Sequence, residues 1–133
     1  MNASMEAKKK AVRILVVDDE EIIRDMLFDA LSQAGYTVKT AKDGSDAIAQ
    51  IGNESFDIVI TDIKMPDIGG MELLIRVLRT NPNVCVLLMT AYGTIKSAIN
   101  AIKLGAHDYI CKPFELSEMK NIVEKAANQK GLL

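Results

Sequence analysis

The sequence predicts a three-layer α/β domain built on a parallel five-stranded sheet, and three observations predict it. Short apolar runs alternate, five times over, with segments whose apolar residues recur at three- and four-residue spacing. Three of the runs end in charge: Ile14-Leu15-Val16-Val17 before Asp18 and Asp19, Ile58-Val59-Ile60-Thr61 before Asp62, and Tyr109-Ile110-Cys111 before Lys112. Right-handed crossovers between parallel strands place their helices on the faces of the sheet, so this alternation implies three layers. The charged strand ends then share one edge, where open α/β sheets bind ligands.

Taken in order, Val12 to Val17 is the first strand, and Ile22, Ile23, Met26, Leu27, Ala30, Leu31 and Ala34 form a helical stripe that Gly35 stops. Thr37 to Ala41 is a more polar strand suited to a sheet edge. Asp43 N-caps a short helix carrying Ala47, Ile48 and Ile51. Asp57 to Thr61 is the third strand, and a loop through Asp62-Ile63-Lys64-Met65-Pro66 and Gly69-Gly70 leads to a helix with Met71, Leu74, Ile75 and Leu78. Val84 to Met89, ended by Thr90, is apolar throughout, as expected of a strand covered on both faces. The fourth helix runs from about Thr94 to Leu104, the fifth strand from about His107 to Cys111, and the fifth helix from about Leu116 to Ala127. Residues 1–10 read as a flexible N-terminal arm, 11–128 as the domain, and 129–133 as a tail or the start of a linker.

The chain has 133 residues, 49% hydrophobic and 26% charged, enough for one domain with its own core. Its formal charge of -2 argues against direct nucleic-acid binding, which needs a basic surface. No apolar segment reaches the roughly 20 residues of a membrane span. The apolar stretch after Lys8-Lys9-Lys10 is broken by Arg13 and stopped by Asp18-Asp19-Glu20-Glu21, too early for an export signal. Cys85 and Cys111 lack metal or redox spacing and read as small apolar strand residues in a reduced cytoplasm.

Asp18, Asp19 and Asp62 together would bring three negative charges into one pocket, where a like pair at about 4 Å costs about 4 kcal/mol at an effective dielectric of 20. Shared protons or a divalent cation can offset that, and an all-oxygen donor set favours magnesium or manganese. Lys112 adds an ammonium suited to a phosphate oxygen, and Thr90 a hydroxyl. An aspartate among such groups can attack phosphorus. Asp62, alone at the head of a loop, is the candidate nucleophile, and the adjacent Asp18-Asp19 pair suits metal binding.

With Val16-Val17-Asp18-Asp19-Glu20, Thr61-Asp62-Ile63-Lys64-Met65-Pro66, Met89-Thr90-Ala91 and Lys112-Pro113-Phe114, the chain resembles bacterial response-regulator receiver domains from Ile14 to about Ala127. Ala91-Tyr92-Gly93 and Ile102 to Tyr109 resemble the nitrogen-regulator type, which often precedes an ATPase and a DNA-binding domain. The resemblance implies a flavodoxin-like (βα)5 fold with sheet order 2-1-3-4-5 and a cis bond before Pro113. It implies Asp62 as phosphoacceptor, Asp18 and Asp19 as the acidic pair with Asp19 the direct metal ligand, and a metal contact from the Lys64 carbonyl. Lys112 would hold the phosphoryl group, and Thr90 and Tyr109 would be the switch pair. It further implies Mg2+ with Mn2+ as substitute, and a sensor histidine kinase as donor. The expected readout is a changed face of the fourth helix, fifth strand and fifth helix, which captures an output domain or a second copy of the chain.

Singly, these residues have plainer readings: Asp18-Asp19 as a helix-capping pair, Asp62 as a turn residue, Lys112 as a surface lysine, Tyr109 as packing. His107, the only histidine, lacks a partner at ligand spacing and reads as structural. Three other functions stand beside the switch. A degenerate receiver would act as a constitutive interaction module. An aspartyl-phosphate phosphatase would want a second aspartate where Lys64 stands. A flavin module would want Gly, Ser and Thr in the acidic first turn.

Overall fold

The computed structural model describes residues 3–91 and 95–133. The expected start of the fourth predicted helix at Thr94 lies outside the described residues, as does Tyr92. The elements in chain order are α1 (Ala3–Ala11), β1 (Arg13–Val17), α2 (Glu21–Gln33), β2 (Thr37–Ala41), α3 (Gly44–Asn53), β3 (Ile58–Asp62), α4 (Gly70–Thr80), β4 (Cys85–Ala91), α5 (Ile95–Lys103), β5 (Asp108–Lys112) and α6 (Leu116–Gln129). The sheet has the order β2-β1-β3-β4-β5, and every pairing is parallel.

Side chains alternate across the strands and feed two cores. On one face Ile14, Val16, Ile58, Ile60, Leu87 and Met89 pack with Leu27 and Leu31 of α2 and Met119 and Val123 of α6. On the other, Leu15, Val17, Val59, Val86 and Leu88 pack with Ala47 of α3, Leu73 and Leu74 of α4, and Ala98 and Ala101 of α5. Both faces are covered, so β1, β3 and β4 are apolar runs rather than alternating ones. The helical stripes are half right at their rims: Met26 and Ile75 remain exposed, and Ile22 is 73% exposed.

Local signals behave as expected at several boundaries. The Asp43 carboxylate accepts from the Asp46 N–H at 2.8 Å as the N-cap of α3. Gly35 ends α2 at φ 109°, in the left-handed region that glycine enters freely. The Lys112-Pro113 bond is cis.

Within the segment expected to be a flexible arm, the described residues Ala3–Ala11 form a helix. Lys9 is 8% exposed, and its ammonium lies 5.5 Å from the centroid of the Tyr36 ring. The Thr37 hydroxyl donates to the Lys10 carbonyl at 2.6 Å. A lysine run reads as solvated, yet Lys9 is buried with its ammonium over an aromatic ring while neighbouring Lys8 and Lys10 face water. At the other end α6 continues two residues past Ala127, and the tail residues Leu132 and Leu133 pack against the first core.

Candidate functional site

Parallel pairing sets the site's geometry before any side chain is considered. Val17 stands beside Ala41 and Thr61, Asp62 beside Met89, and Ala91 beside Lys112. The charged residues therefore converge on one edge. Asp62 and Lys112 are the last residues of their strands, and Asp18 follows directly on β1.

One ammonium joins two of the carboxylates. Lys112 Nζ donates to Asp18 Oδ2 at 2.7 Å and to Asp62 Oδ2 at 3.0 Å. Asp18 is fully buried and Asp62 nearly so, whereas Asp19 is exposed. One oxygen from each of Asp18, Asp19 and Asp62 falls within a group spanning no more than 4.8 Å. With all three ionised, a single lysine leaves two negative charges uncompensated. That excess, on an all-oxygen donor set, fits a divalent hard cation.

Each buried carboxylate is also tied locally. Asp18 Oδ1 accepts from the Glu20 N–H at 2.9 Å, the Asp18 N–H donates to the Ala41 carbonyl, and Arg24 Nη1 donates to the Asp18 carbonyl at 2.8 Å. Asp62 Oδ1 accepts from the Lys64 N–H at 3.3 Å. Burial raises the pKa of Asp62, against the pull of the Lys112 hydrogen bond and charge, and Asp18 adds to the rise. Burial also disfavours the Lys112 ammonium, but its bonds to Asp18 and Asp62 outweigh that and raise its pKa. The two shifts share one ion pair and differ in which influence prevails. For Asp62 the upward direction holds, because burial strips its carboxylate of water and a second carboxylate is close.

The loop after β3 is held against the site by close backbone approach. A Cβ on Gly70 would fall on the Asp62 carbonyl oxygen and 2.8 Å from Ile63 Cα. The Gly70 N–H donates to the Ile63 carbonyl, and the Ile63 N–H to the Met89 carbonyl. The glycine pair was visible in the sequence as a loop signal, but its contact with Asp62 was not. Arg24 was also missed.

Thr90 and Tyr109 are not members of the Lys112 ion-pair network. Thr90 is fully buried inside β4, one position beyond the residue paired with Asp62, and its hydroxyl donates to the Ala91 carbonyl at 3.3 Å. Tyr109 is half-buried and packs against the second core. His107 contacts Gln129 at 2.7 Å, away from the cluster. Both cysteines are free, and burial pushes the Cys85 thiol up to about 12. A concavity of mixed lining, with Phe56, Val77 and Val84 beside Glu54, Thr80 and Asn81, lies toward the opposite edge of the sheet and holds none of these groups.

Residues 14–124 match the family model described as "Response regulator receiver domain". The chain belongs to that family. Among curated relatives, the receiver is 36% identical over 118 residues to the DNA-binding transcriptional regulator NtrC of Azospirillum brasilense, covering 89% of this chain and 24% of that protein. It is 37% identical over 113 residues to the probable transcriptional regulatory protein TcrX of Mycobacterium tuberculosis, covering 85% and 48%. The chain thus spans a quarter to a half of the length of these relatives. A receiver domain protein from Clostridium thermocellum superimposes with a TM-score of 0.86 at 33% identity, covering 91% of this chain and 98% of that one. NtrX from Brucella abortus does so with a TM-score of 0.87 at 35% identity, covering 92% and 28%. Receivers of two-component response regulators work by phosphorylation-mediated switching, and they are not turnover enzymes. No described helix is long and apolar enough to cross a membrane.

Proposed function

We propose that the receiver unit, residues 11–128, accepts a phosphoryl group on Asp62 from a phosphohistidine of a cytoplasmic sensor kinase, with Mg2+ or Mn2+ at the acidic cluster. The observation that carries this reading is the Lys112 ammonium bridging Asp18 and Asp62, with a third carboxylate alongside. Asp18, Asp19, Asp62 and the backbone carbonyl of Lys64 would hold the cation. The chemistry a divalent ion supplies there is neutralisation of the phosphoryl oxygens.

This chain's own residues do the rest. An ionised Asp62 oxygen attacks phosphorus in line with the imidazole nitrogen. A P–O bond forms, and the P–N bond breaks with its electron pair on nitrogen. Burial leaves the Asp62 carboxylate poorly solvated, which suits a nucleophile, and Lys112, already bonded to that carboxylate, would be at hand for the phosphoryl oxygens. An apolar groove beside Lys112, lined by Ile23, Met26, Pro113 and Phe114 with exposed Ile22 nearby, suits a protein donor. Thr90 then turns toward the phosphate and Tyr109 inward, remodelling the face of α5, β5 and α6 for an output domain or a second copy.

Borohydride reduction after incubation with acetyl phosphate and Mg2+ tests the assignment, because it converts an aspartyl phosphate into homoserine. Peptide mass spectrometry is expected to find homoserine at position 62. Homoserine at position 18 or 19 instead, or at none, would overturn it.

A further inference from the structure

We infer that Arg24 is a positioning residue for the metal-binding acidic pair, acting through the peptide that joins Asp18 to Asp19; the inference rests on the proposed metal site. Arg24 stands in the first turn of α2, where the positive end of the helix dipole disfavours a cation. Its side chain is part-buried there. Nη1 donates to the Asp18 carbonyl at 2.8 Å, six residues earlier.

That carbonyl lies where the ladder stops. The last paired residue of β1 is Val17, and the strand's regular bonds no longer govern the chain beyond the Asp18 N–H. The Asp18 carbonyl and the Asp19 N–H belong to one planar peptide, so fixing the carbonyl fixes the plane from which Asp19 departs. Packing cannot do this, because Asp19 is exposed. Nor does the helix cap, since Glu20 makes no side-chain cap bond to α2. Asp18 is held from inside by Lys112 and the Glu20 N–H; Arg24 holds the same turn from outside.

Charge and positioning make opposite predictions. Removing a cation near three carboxylates should tighten metal binding if Arg24 acts only through its charge, whereas loss of a positioning bond should weaken it. Titration of the unphosphorylated protein with Mn2+ alone, followed by water-proton relaxation, reads this without any reaction. Arg24→Gln is expected to weaken Mn2+ binding about tenfold, the scale seen when an outer-shell partner of a metal ligand is lost. Arg24→Lys, with one point-charge donor in place of a planar fork, is expected to fall between that variant and wild type. Unchanged or tighter binding by folded Arg24→Gln, or a lowered melting temperature with intact Mn2+ affinity, overturns the inference. Should Arg24→Gln not fold, the lysine variant decides by the same titration, wild-type affinity counting against. Wild type that binds Mn2+ but takes up no phosphoryl group would sink the proposed reaction and leave Arg24 to be judged by the titration. Wild type that binds no Mn2+ sinks both.

Discussion

At Asp62, burial and the neighbouring Asp18 raise the pKa while Lys112 pulls it down, and burial prevails. A carboxyl whose folded pKa lies above its unfolded value favours the folded state when protonated, so its contribution is lost as pH rises through the folded value. Asp62→Asn keeps the shape and removes the charge. In chelator at pH 7 the variant is expected to be about 1 kcal/mol more stable than wild type by urea unfolding, the usual trade at a functional site. The gap should close toward acid pH, and a less stable variant would refute this account of the site. Tyr36 makes a second residue-scale case. Its hydroxyl is buried without a hydrogen-bond partner among the described residues, and burial pushes its pKa up to about 12. In the unfolded chain it ionises near 10, so stability is lost between pH 10 and 12 as the unfolded state sheds a proton that the folded state keeps. Tyr36→Phe is expected to unfold at higher urea at pH 7, by about 1 kcal/mol, and to lose less stability than wild type across that alkaline window. A variant with the wild-type alkaline slope would show that Tyr36 is not the group responsible. The site carboxylates and Lys112 were legible in the sequence because each ends an apolar run. Arg24 was not, because its partner is a backbone carbonyl, and backbone leaves no trace in residue type.

Among the elements, strand positions came through well and strand ends less so. β4 runs to Ala91, which places Thr90 inside the strand rather than just past it. Its register partner Cys111 extends the ladder at that point, a pairing that hydrophobic pattern does not report. Helix α1 was missed because a lysine run reads as solvated, whereas Lys9 is buried with its ammonium over the Tyr36 ring. The loop after β3 carries the prediction at this scale. Gly70→Ala would press a methyl group into the backbone of Asp62 and Ile63, at about 1–3 kcal/mol, and is expected to slow phosphoryl uptake. Gly52→Ala, in α3 with nothing within 4 Å of the added carbon, serves as the control and is expected to leave uptake unchanged while gaining a few tenths to about 1 kcal/mol. Equal effects from the two, measured by denaturation and single-turnover labelling, would show that the loop's approach to Asp62 does not matter.

For the molecule as a whole, the parallel sheet gathers residues distant in sequence at one edge and leaves an apolar surface elsewhere. Ile95, Ile99, Ile102 and Leu104 are exposed on and just after α5. Moving a two-state equilibrium from 1:99 to 99:1 takes about 5.5 kcal/mol of differential stabilisation, a demand that a new dianion with several contacts can meet. Fully buried Thr90 is the proposed link between that dianion and the surface. Thr90→Ala should therefore be phosphorylated at close to the wild-type level yet show less than half the wild-type change in hydrogen exchange over α5, β5 and α6. A full response in the variant would remove Thr90 from the switch. Fold class was legible because alternation of strand and helix admits few topologies, whereas the strand order came only with the resemblance to receivers. The direction of the switch was not, since it depends on two states of one chain, and a sequence encodes both at once.

The central claim is that Asp62 takes up phosphate with a divalent cation. Intact mass after incubation with acetyl phosphate and Mg2+ tests it most directly, with Asp62→Asn and a chelator alongside. One phosphoryl adduct is expected on the wild-type chain, and none on the variant or in chelator. A folded wild-type protein that gains no adduct, or a variant that gains one equally, would contradict the account.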